Sequence, residues 1–316
     1  MSVSREGLVI RAQSGFLVVE TEAGEITCRL RGRLKQGETE GDIVGVGDRV
    51  SIEDQGDGTG SILKVHERHS AFYRVRTGLK RDFRQIILAN PDQLVIVFAC
   101  AHPEPHLRML DRFLVIAEKQ RIHPLIVANK TDLVEIQAAH EIFGLYTTLG
   151  YDVIYASAKT GLGVTDLREA LRGNISALAG PSGVGKSSLL NAVQPELGLH
   201  VREVSEVTSK GRHTTQVREL FPLDVGGYVA DTPGIRSLAL WDTEPEELDA
   251  YFVELRDLVA DCQFSDCTHT HEPGCAVRKA VEQGTVSAER YTSYLRLRFG
   301  DDSEPYAENI PSGSMD

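Results

Sequence analysis

Gly180-Pro-Ser-Gly-Val-Gly-Lys-Ser187 is the stretch that decides the fold of most of this chain. It matches the pattern G-x-x-x-x-G-K-S/T, with the apolar run ISALAG leading into it and SSLLNAV following it. Strand, glycine-rich loop and helix in that order form a phosphate-binding loop, because glycines let backbone N–H groups curl around phosphate oxygens at a helix N-terminus. We therefore predict a P-loop, in which Lys186 reaches the β- and γ-phosphates as a catalytic group and Ser187 ligates Mg²⁺. The predicted nucleotide contacts of this loop are Gly180, Ser182, Gly183, Val184, Gly185, Lys186, Ser187 and Ser188.

Two further loops predict which base is bound. Asn129-Lys130-Thr131-Asp132 follows the strand-like run HPLIVA, and Ser157-Ala158-Lys159 follows DVIYA. The Asp132 carboxylate can accept hydrogen bonds from the ring N–H and the exocyclic amine of guanine, whereas adenine offers neither donor on that edge. Losing such charged hydrogen bonds costs about 1 to 3 kcal/mol each, which favours GTP and GDP over ATP. The predicted base contacts are Asn129, Lys130, Asp132, Ser157, Ala158 and Lys159.

Two segments on the C-terminal side of the P-loop have the composition of switch regions. Asp231-Thr232-Pro233-Gly234 follows the apolar GGYVA, which places a carboxylate at a strand end to hold the water shell of Mg²⁺ and Gly234 near the γ-phosphate. Between the P-loop and this aspartate lies GRHTTQ, residues 211–216. Thr214 or Thr215 is predicted to sense Mg²⁺ and the γ-phosphate, and Thr215 is our assignment for the magnesium ligand.

These five elements together resemble the GTPase signature, but the two base-reading loops precede the P-loop and the switches. This order requires a circular permutation of the usual connectivity. A parallel sheet tolerates such a change, because chain termini lie at the surface and often close together. The chain therefore predicts a circularly permuted GTPase domain.

Patterning on either side of the motifs predicts a multidomain α/β protein. Residues 1–70 read as short alternating segments such as GLVIRA, FLVVET and EITCRL, which predict a small β-barrel of the oligonucleotide-binding or the SH3-like type. Residues 71–240 alternate apolar runs with helical stretches, which indicates a parallel sheet covered by helices on both faces. Residues 241–316 are glycine-poor and helical around a cysteine cluster.

That cluster has the composition of a structural metal site. Cys262, Cys267 and Cys275 fall within fourteen positions, and His269 and His271 both lie among them. Three thiolates and one imidazole complete a tetrahedral zinc shell and leave no open position for a catalytic water. Either histidine satisfies this spacing, so the sequence predicts one structural zinc ion with a choice of two imidazoles.

Charge and hydropathy limit the class of protein. The chain has 34 basic and 46 acidic residues, a formal net charge of -12, which argues against nonspecific binding of polyanions by the whole surface. No apolar run approaches the roughly 20 residues that cross a bilayer, so we expect a cytoplasmic protein without membrane contact.

The stretch from Lys64 to Arg84 is locally basic, with seven basic and two acidic residues. Its aromatics Phe72, Tyr73 and Phe83 would either stack on unpaired RNA bases or anchor the barrel to the GTPase domain.

Taken together, the sequence resembles the circularly permuted, ribosome-associated GTPase family called RsgA or YjeQ over nearly its whole length. The resemblance rests on the permuted order, on Cys262-x4-Cys267-x-His269-x5-Cys275, and on the segments IILANPDQLVIV, LDRFLVIAE, GPSGVGKSSLLN, GRHTT and DTPGIR. It implies an oligonucleotide-binding barrel, a GTPase domain and a C-terminal zinc module with His269 as the fourth ligand. It also implies GTP hydrolysis stimulated by the small ribosomal subunit, contact with its rRNA, and a role in late maturation of that subunit.

The resemblance further points to His213 as the group that positions the attacking water. Many GTPases carry a glutamine after the D-T-P-G segment, but here Ile235 has no hydrogen-bonding group, so another side chain must take that role. We expect a monomer. Two alternatives remain at this level: a signalling GTPase with protein partners, and an RNA-binding module in which nucleotide only stabilises the fold.

Overall fold

The computed structural model describes residues 3–32, 42–76, 83–199, 218–230 and 243–300. Within these ranges no helix is long and apolar enough to cross a membrane. The bounds of the three predicted domains stay predictions.

The N-terminal strands close into a barrel. Strand β1 bonds antiparallel to both β2 and β4, β4 bonds antiparallel to β5, and β3 runs parallel to β5, which completes the ring. Alternate residues point inward as a pleated strand requires, and Val9, Val50 and Ile62 are fully buried in the barrel core. This confirms the oligonucleotide-binding barrel. Its strands are β1 Val3–Gln13, β2 Phe16–Thr21, β3 Gly24–Leu30, β4 Arg49–Asp54 and β5 Thr59–Val65.

A two-stranded hairpin that the sequence analysis did not predict follows the barrel. It consists of β6, Ala71–Arg76, and β7, Phe83–Ala89. Phe72 is only 1% exposed and packs in the same core as Leu8 of the barrel and Leu88 of β7. For Phe72 the anchoring alternative therefore applies, since a buried ring is not available to stack on a base.

The predicted parallel sheet is present, in the order β10-β9-β8-β11-β13-β12. All its neighbours are parallel except β12 and β13, which pair antiparallel. The P-loop strand β11 lies between β8 and β13 although it comes after β9 and β10 in the chain, as a permuted order demands. The strands are β8 Gln93–Ala99, β9 His123–Asn129, β10 Asp152–Tyr155, β11 Ile175–Ala179, β12 Arg218–Pro222 and β13 Tyr228–Ala230.

Helices cover both faces of this sheet. Apolar residues of α1 and α2, among them Phe113 and Phe143, form one core, while residues of α3 and α4 such as Leu167 and Leu189 form a second core on the other face. This arrangement confirms the α/β prediction and directs the loops after β9, β10 and β11 to one edge of the sheet. The helices are α1 Leu107–Gln120, α2 Ile136–Thr148, α3 Val164–Leu171 and α4 Lys186–Val193.

The barrel and the parallel sheet are hydrogen-bonded to each other. Strand β1 pairs antiparallel with β12, with Arg11 opposite Glu219, so that the two units form one eleven-stranded sheet. The Arg11 guanidinium donates to the Glu219 carboxylate, with Nε at 2.6 Å, and the Tyr228 hydroxyl donates to Glu20 of β2. The barrel is therefore attached through backbone and side chains to the hairpin β12–β13.

The C-terminal module is helical and packs on α1. It comprises a 3-10 helix at Pro245–Tyr251, α5 at Val253–Arg256, a 3-10 helix at Val259–Asp261, α6 at Ala276–Glu282 and α7 at Ala288–Phe299. Its core buries Phe252, Val277 and Tyr294 together with Val115 of α1. The cysteine cluster lies against this core, which agrees with the predicted helical zinc module.

Arg290 of α7 joins the module to the GTPase domain. Its side chain is only 2% exposed, and its guanidinium donates to Glu254 (Nε–Oε1 2.6 Å, Nη2–Oε2 3.0 Å) and to Asp111 of α1 (Nη1–Oδ1 2.5 Å). The Tyr146 hydroxyl of α2 also donates to Asp111, at 2.8 Å. A charge buried to this degree must be paired, and here its partners come from both domains.

Candidate nucleotide site and metal centre

Two positions of the P-loop require glycine, because their backbone lies too close to neighbouring atoms of the same chain for a Cβ to fit. Gly180 has φ of +131°, and a Cβ there would lie 2.1 Å from the Val97 carbonyl oxygen of β8. Gly185 has φ of +94°, and its Cβ would lie 2.5 Å from Nδ2 of Asn129. Both values exclude an ordinary side chain, since real Cβ contacts are longer and positive φ disfavours L-residues. Helix α4 then begins at Lys186, directly after the last glycine.

Lys186 is buried inside the loop. Its Nζ donates to the carbonyl oxygens of Gly180, at 2.8 Å, and Pro181, at 2.6 Å. The ammonium group therefore lies within the turn of backbone whose sequence predicts phosphate binding. Its flexible stem can exchange these carbonyl partners for phosphate oxygens without movement of the loop.

The first base loop is locked to the P-loop. Asn129, at the end of β9, is 1% exposed and donates from Nδ2 to the Val184 carbonyl oxygen at 2.7 Å. Its Oδ1 is buried, and the described part of the chain offers it no hydrogen-bond partner. A buried polar atom without a partner is costly, so this atom indicates a site that a ligand or water completes. The residues present thus fit a bound nucleotide.

Asp132 and Ser157 meet at the mouth of the site. The buried Ser157 hydroxyl donates to Asp132 Oδ1 at 2.6 Å, and Lys159 Nζ lies 3.7 Å from Oδ2. The hydrogen bond from Ser157 is the largest cause that lowers the pKa of Asp132 below its ordinary value. Asp132 is therefore an ionised acceptor, which is the state that reading two guanine donors requires. Thr131 holds the two loops together by donating to the Ala156 carbonyl oxygen at 3.1 Å.

The structure brings both base loops and the P-loop to the carboxyl edge of the sheet, after β9, β10 and β11. Of the remaining predicted contacts, Lys130 has φ of +63° and its Nζ donates to the His102 carbonyl oxygen. The switch candidates lie outside the described residues: His213, Thr214, Thr215, Asp231 and Gly234.

Four side chains of the C-terminal module converge as metal ligands would. Ligand atoms of Cys262, Cys267, His269 and Cys275 all lie within 4.8 Å of one another. Cys262 Sγ is 4.0 Å from Cys275 Sγ, and His269 Nδ1 is 3.6 Å and 3.4 Å from those two sulfurs. Tetrahedral zinc with ordinary bond lengths separates two sulfurs by about 3.8 Å and sulfur from nitrogen by about 3.6 Å. The set therefore fits a closed zinc shell.

The two candidate histidines differ in position. His269 is fully buried among the thiols, whereas His271 is exposed and its Nδ1 lies 2.8 Å from the Thr270 hydroxyl. The geometry thus favours His269. Burial raises the pKa of the Cys275 thiol, but its contact with His269 and the hydrogen bond from the Arg278 amide outweigh burial and lower that pKa to about 7. The thiolate of Cys275, the form that binds metal, is thereby within reach at neutral pH, whereas burial raises the pKa of the Cys267 thiol to about 12.

Contacts around His269 complete the centre. The Tyr291 hydroxyl donates to the His269 carbonyl oxygen at 2.5 Å, and the Tyr294 hydroxyl donates to that of Thr268 at 3.2 Å. Asp249 Oδ2 lies 3.1 Å from His269 Nε2. The sequence analysis missed Asp249, because an aspartate in the acidic stretch EPEELDAY carries no signal of its own.

Comparison with known proteins supports the same assignment. The family model described as RsgA GTPase matches residues 65–241, and the model described as RsgA N-terminal domain matches residues 6–62. The chain is 47% identical over 302 residues to the small ribosomal subunit biogenesis GTPase RsgA of Gemmatimonas aurantiaca, covering 94% of this chain and 98% of the relative.

Two solved structures resemble the whole fold. YjeQ from Thermotoga maritima matches with a TM-score of 0.77 and 39% identity, covering 94% of this chain and 98% of that one. YloQ, described as a circularly permuted GTPase, matches with a TM-score of 0.72 and 34% identity, covering 94% of each chain. The resemblance drawn from the motifs and the permuted order is therefore confirmed.

Proposed function

The chain belongs to the RsgA GTPase family, and from this premise we propose that its GTP hydrolysis is stimulated by the small ribosomal subunit and serves a late step in maturation of that subunit. The observation that carries the proposal is the relative named small ribosomal subunit biogenesis GTPase, which matches 94% of this chain at 47% identity. That match includes the barrel and the cysteine cluster as well as the nucleotide motifs.

Within this proposal each described loop has one task. Asp132, held by Ser157, selects guanine, while Asn129 fixes the base loop against the P-loop at Val184. Lys186 and the backbone N–H groups of the P-loop bind the phosphates. Phosphoryl transfer depends on positioning and charge stabilisation rather than on covalent chemistry of the protein, so a rigid, interlocked site is what the reaction needs.

The switch residues complete the proposed site. Mg²⁺ bound with GTP neutralises charge on the phosphate oxygens, and Ser187 and Thr215 are its proposed ligands, with Thr214 as the alternative to Thr215. Asp231 would hold the water shell of the ion and Gly234 would approach the γ-phosphate. His213 is the proposed group that positions the attacking water. Slow turnover by the isolated chain and fast turnover on the subunit follow if the partner places these residues around the γ-phosphate.

We further propose one structural zinc ion per chain, bound by Cys262, Cys267, His269 and Cys275. The support is the convergence of three sulfurs and one imidazole nitrogen within 4.8 Å. A role on ribosomal subunits requires access to them, so we propose that the protein is cytoplasmic. We also propose that it acts as a monomer.

The decisive experiment is GTP turnover by the full chain with and without purified small subunits. We expect a large increase with small subunits and no increase with large subunits. Lys186→Ala is the control, since it should abolish turnover under both conditions. Turnover unaffected by subunits would favour the signalling alternative, whereas subunit binding without any turnover would favour an RNA-binding module with structural nucleotide.

Contact with rRNA is proposed for the basic stretch from Lys64 to Arg84. Replacing four of its residues with alanine should weaken subunit binding and flatten its salt dependence, because fewer counterions are released. The control replaces Arg121 and Arg172, which are exposed on the GTPase domain, and this loss of two charges should leave the salt slope unchanged. If the variant binds subunits with unchanged affinity and unchanged salt dependence, the rRNA contact lies elsewhere on the protein. The four residues are Arg74, Arg76, Lys80 and Arg81.

A further inference from the structure

Asp249 contacts the cysteine cluster without belonging to it. It lies in the 3-10 helix Pro245–Tyr251, and its Oδ2 is 3.1 Å from Nε2 of His269. The Asp249 side chain is 13% exposed and that of His269 is fully buried, so the contact is shielded from water. A carboxylate can only accept in such a contact, which makes Nε2 the protonated nitrogen of the ring.

The other ring nitrogen has the opposite surroundings. His269 Nδ1 lies 3.6 Å from Cys262 Sγ and 3.4 Å from Cys275 Sγ. These are the distances that separate ligand atoms across a tetrahedral metal. The two nitrogens of one imidazole therefore have distinct neighbours, thiols on one side and a carboxylate on the other.

The backbone of His269 is constrained independently. Its φ is +63°, a conformation that residues other than glycine seldom adopt, and the Tyr291 hydroxyl bonds its carbonyl oxygen. The tyrosine holds the main chain but does not bond the ring. The Tyr294 ring lies 5.9 Å from the His269 ring, and Asp249 adds a hydrogen-bonded constraint at Nε2.

We propose that Asp249 is a positioning residue of the metal centre: it accepts the Nε2–H of His269 and so presents the Nδ1 lone pair to zinc. This inference rests on the zinc ion proposed above. It adds Asp249 to the four proposed ligand residues and identifies Nδ1 as the nitrogen of His269 that binds the metal. Carboxylates that bond the free N–H of a metal-bound histidine fix its tautomer and orientation, and their loss weakens metal binding about 10- to 100-fold.

The same contact ties a distant segment to the metal. Residues 245–251 form the first described helix after 231–242, which contain the D-T-P-G segment. Leu248, beside Asp249, is 2% exposed in the C-terminal core. Zinc bound by His269 would therefore also hold this 3-10 helix in place through Asp249.

Zinc affinity of the full chain tests the inference by competition with a coloured chelator. Wild-type protein is measured first, and failure to bind one equivalent would refute the proposed zinc site itself. Asp249→Asn should then bind zinc about 10- to 100-fold more weakly. Asp266→Asn is the control, because it removes an exposed carboxylate next to Cys267 and should change the affinity by less than about twofold. Equal affinities for the two variants, or no change in Asp249→Asn, would overturn the role of Asp249 while leaving the zinc site intact.

A second measurement needs no variant and remains informative if Asp249→Asn fails to fold. Nitrogen-15 spectra of the zinc-loaded chain should show His269 metallated at Nδ1, with a slowly exchanging proton on Nε2. Metal at Nε2 and a proton on Nδ1 would overturn the inference, since Asp249 would then have no N–H to accept.

Discussion

Replacing Gly185 with alanine would test whether the P-loop and the base loop function as one interlocked unit. The new Cβ would lie 2.5 Å from Nδ2 of Asn129, closer than real contacts allow. Asn129 would have to turn away, which breaks its 2.7 Å bond to the Val184 carbonyl oxygen. The perturbation therefore reaches the guanine loop from a residue that belongs to the phosphate loop.

Gly185→Ala should lower both the stability of the fold and the affinity for GDP, through two separate contributions. A φ of +94° costs an L-residue about 1–2 kcal/mol whether or not nucleotide is bound, so this part lowers the stability of the fold. Loss of the buried bond of Asn129 costs about 1–3 kcal/mol and distorts the site itself. If that second part is lost from binding, GDP affinity should fall about 5- to 150-fold.

The assay is titration with a fluorescent GDP analogue, accompanied by thermal denaturation. Gly150→Ala is the matched control, because Gly150 has φ of +90° but a Cβ there would meet no atom within 4 Å. Both variants should melt earlier than the wild type, and only Gly185→Ala should lose affinity. In an Asn129→Ala background, Gly185→Ala should cost less than it does in the wild type, since the clashing amide is gone. Equal affinity losses for Gly150→Ala and Gly185→Ala, or strict additivity with Asn129→Ala, would refute the interlock.

Three further outcomes are expected. Asp132→Asn should weaken GTP and GDP binding at least about tenfold and favour xanthine nucleotides, as competition binding would measure, because an amide cannot accept from both guanine donors; unchanged guanine affinity would contradict the assignment. Arg290→Met leaves Asp111 and Glu254 buried without their cation and should lower the free energy of unfolding by about 3–5 kcal/mol in urea denaturation, so a loss under about 1 kcal/mol would argue against a buried pair. Removal of zinc by a chelator should increase amide exchange in α6 but not in α3, and equal exchange with and without metal in α6 would count against a structural ion.

The sequence predicted the parts of the site that are local in the chain. Lys186 and the P-loop glycines lie within one turn of backbone, so their spacing alone predicts phosphate binding. The role of Asp132 was likewise predicted from the chemistry of guanine. The permuted fold followed because strand, loop and helix alternate in a fixed order on either side of these motifs.

The sequence alone could not predict contacts between residues that are far apart in the chain. Asn129 and Val184 are 55 positions apart, and Asp249 and His269 are 20 apart, with no periodicity that connects them. The hairpin β6–β7 was missed because its register shifts between Phe72 and Tyr73, which breaks the two-residue alternation that predicts a strand. The burial of Phe72 depends on barrel residues that only the tertiary fold brings near. The roles of His213 and the neighbouring threonines remain predictions, since those residues lie outside the described ranges.

The pairing of β1 with β12 has a mechanical consequence. In the chain the hairpin β12–β13 lies between residues 201–217 and residues 231–242, so both segments proposed to sense the γ-phosphate are covalently joined to this hairpin. Strand β12 of that hairpin is hydrogen-bonded to β1 of the barrel, where Arg11 lies opposite Glu219. A tilt of the hairpin would therefore either strain this pairing or move β1 with it. A change at the γ-phosphate would then reach the barrel directly through the backbone hydrogen bonds between β12 and β1.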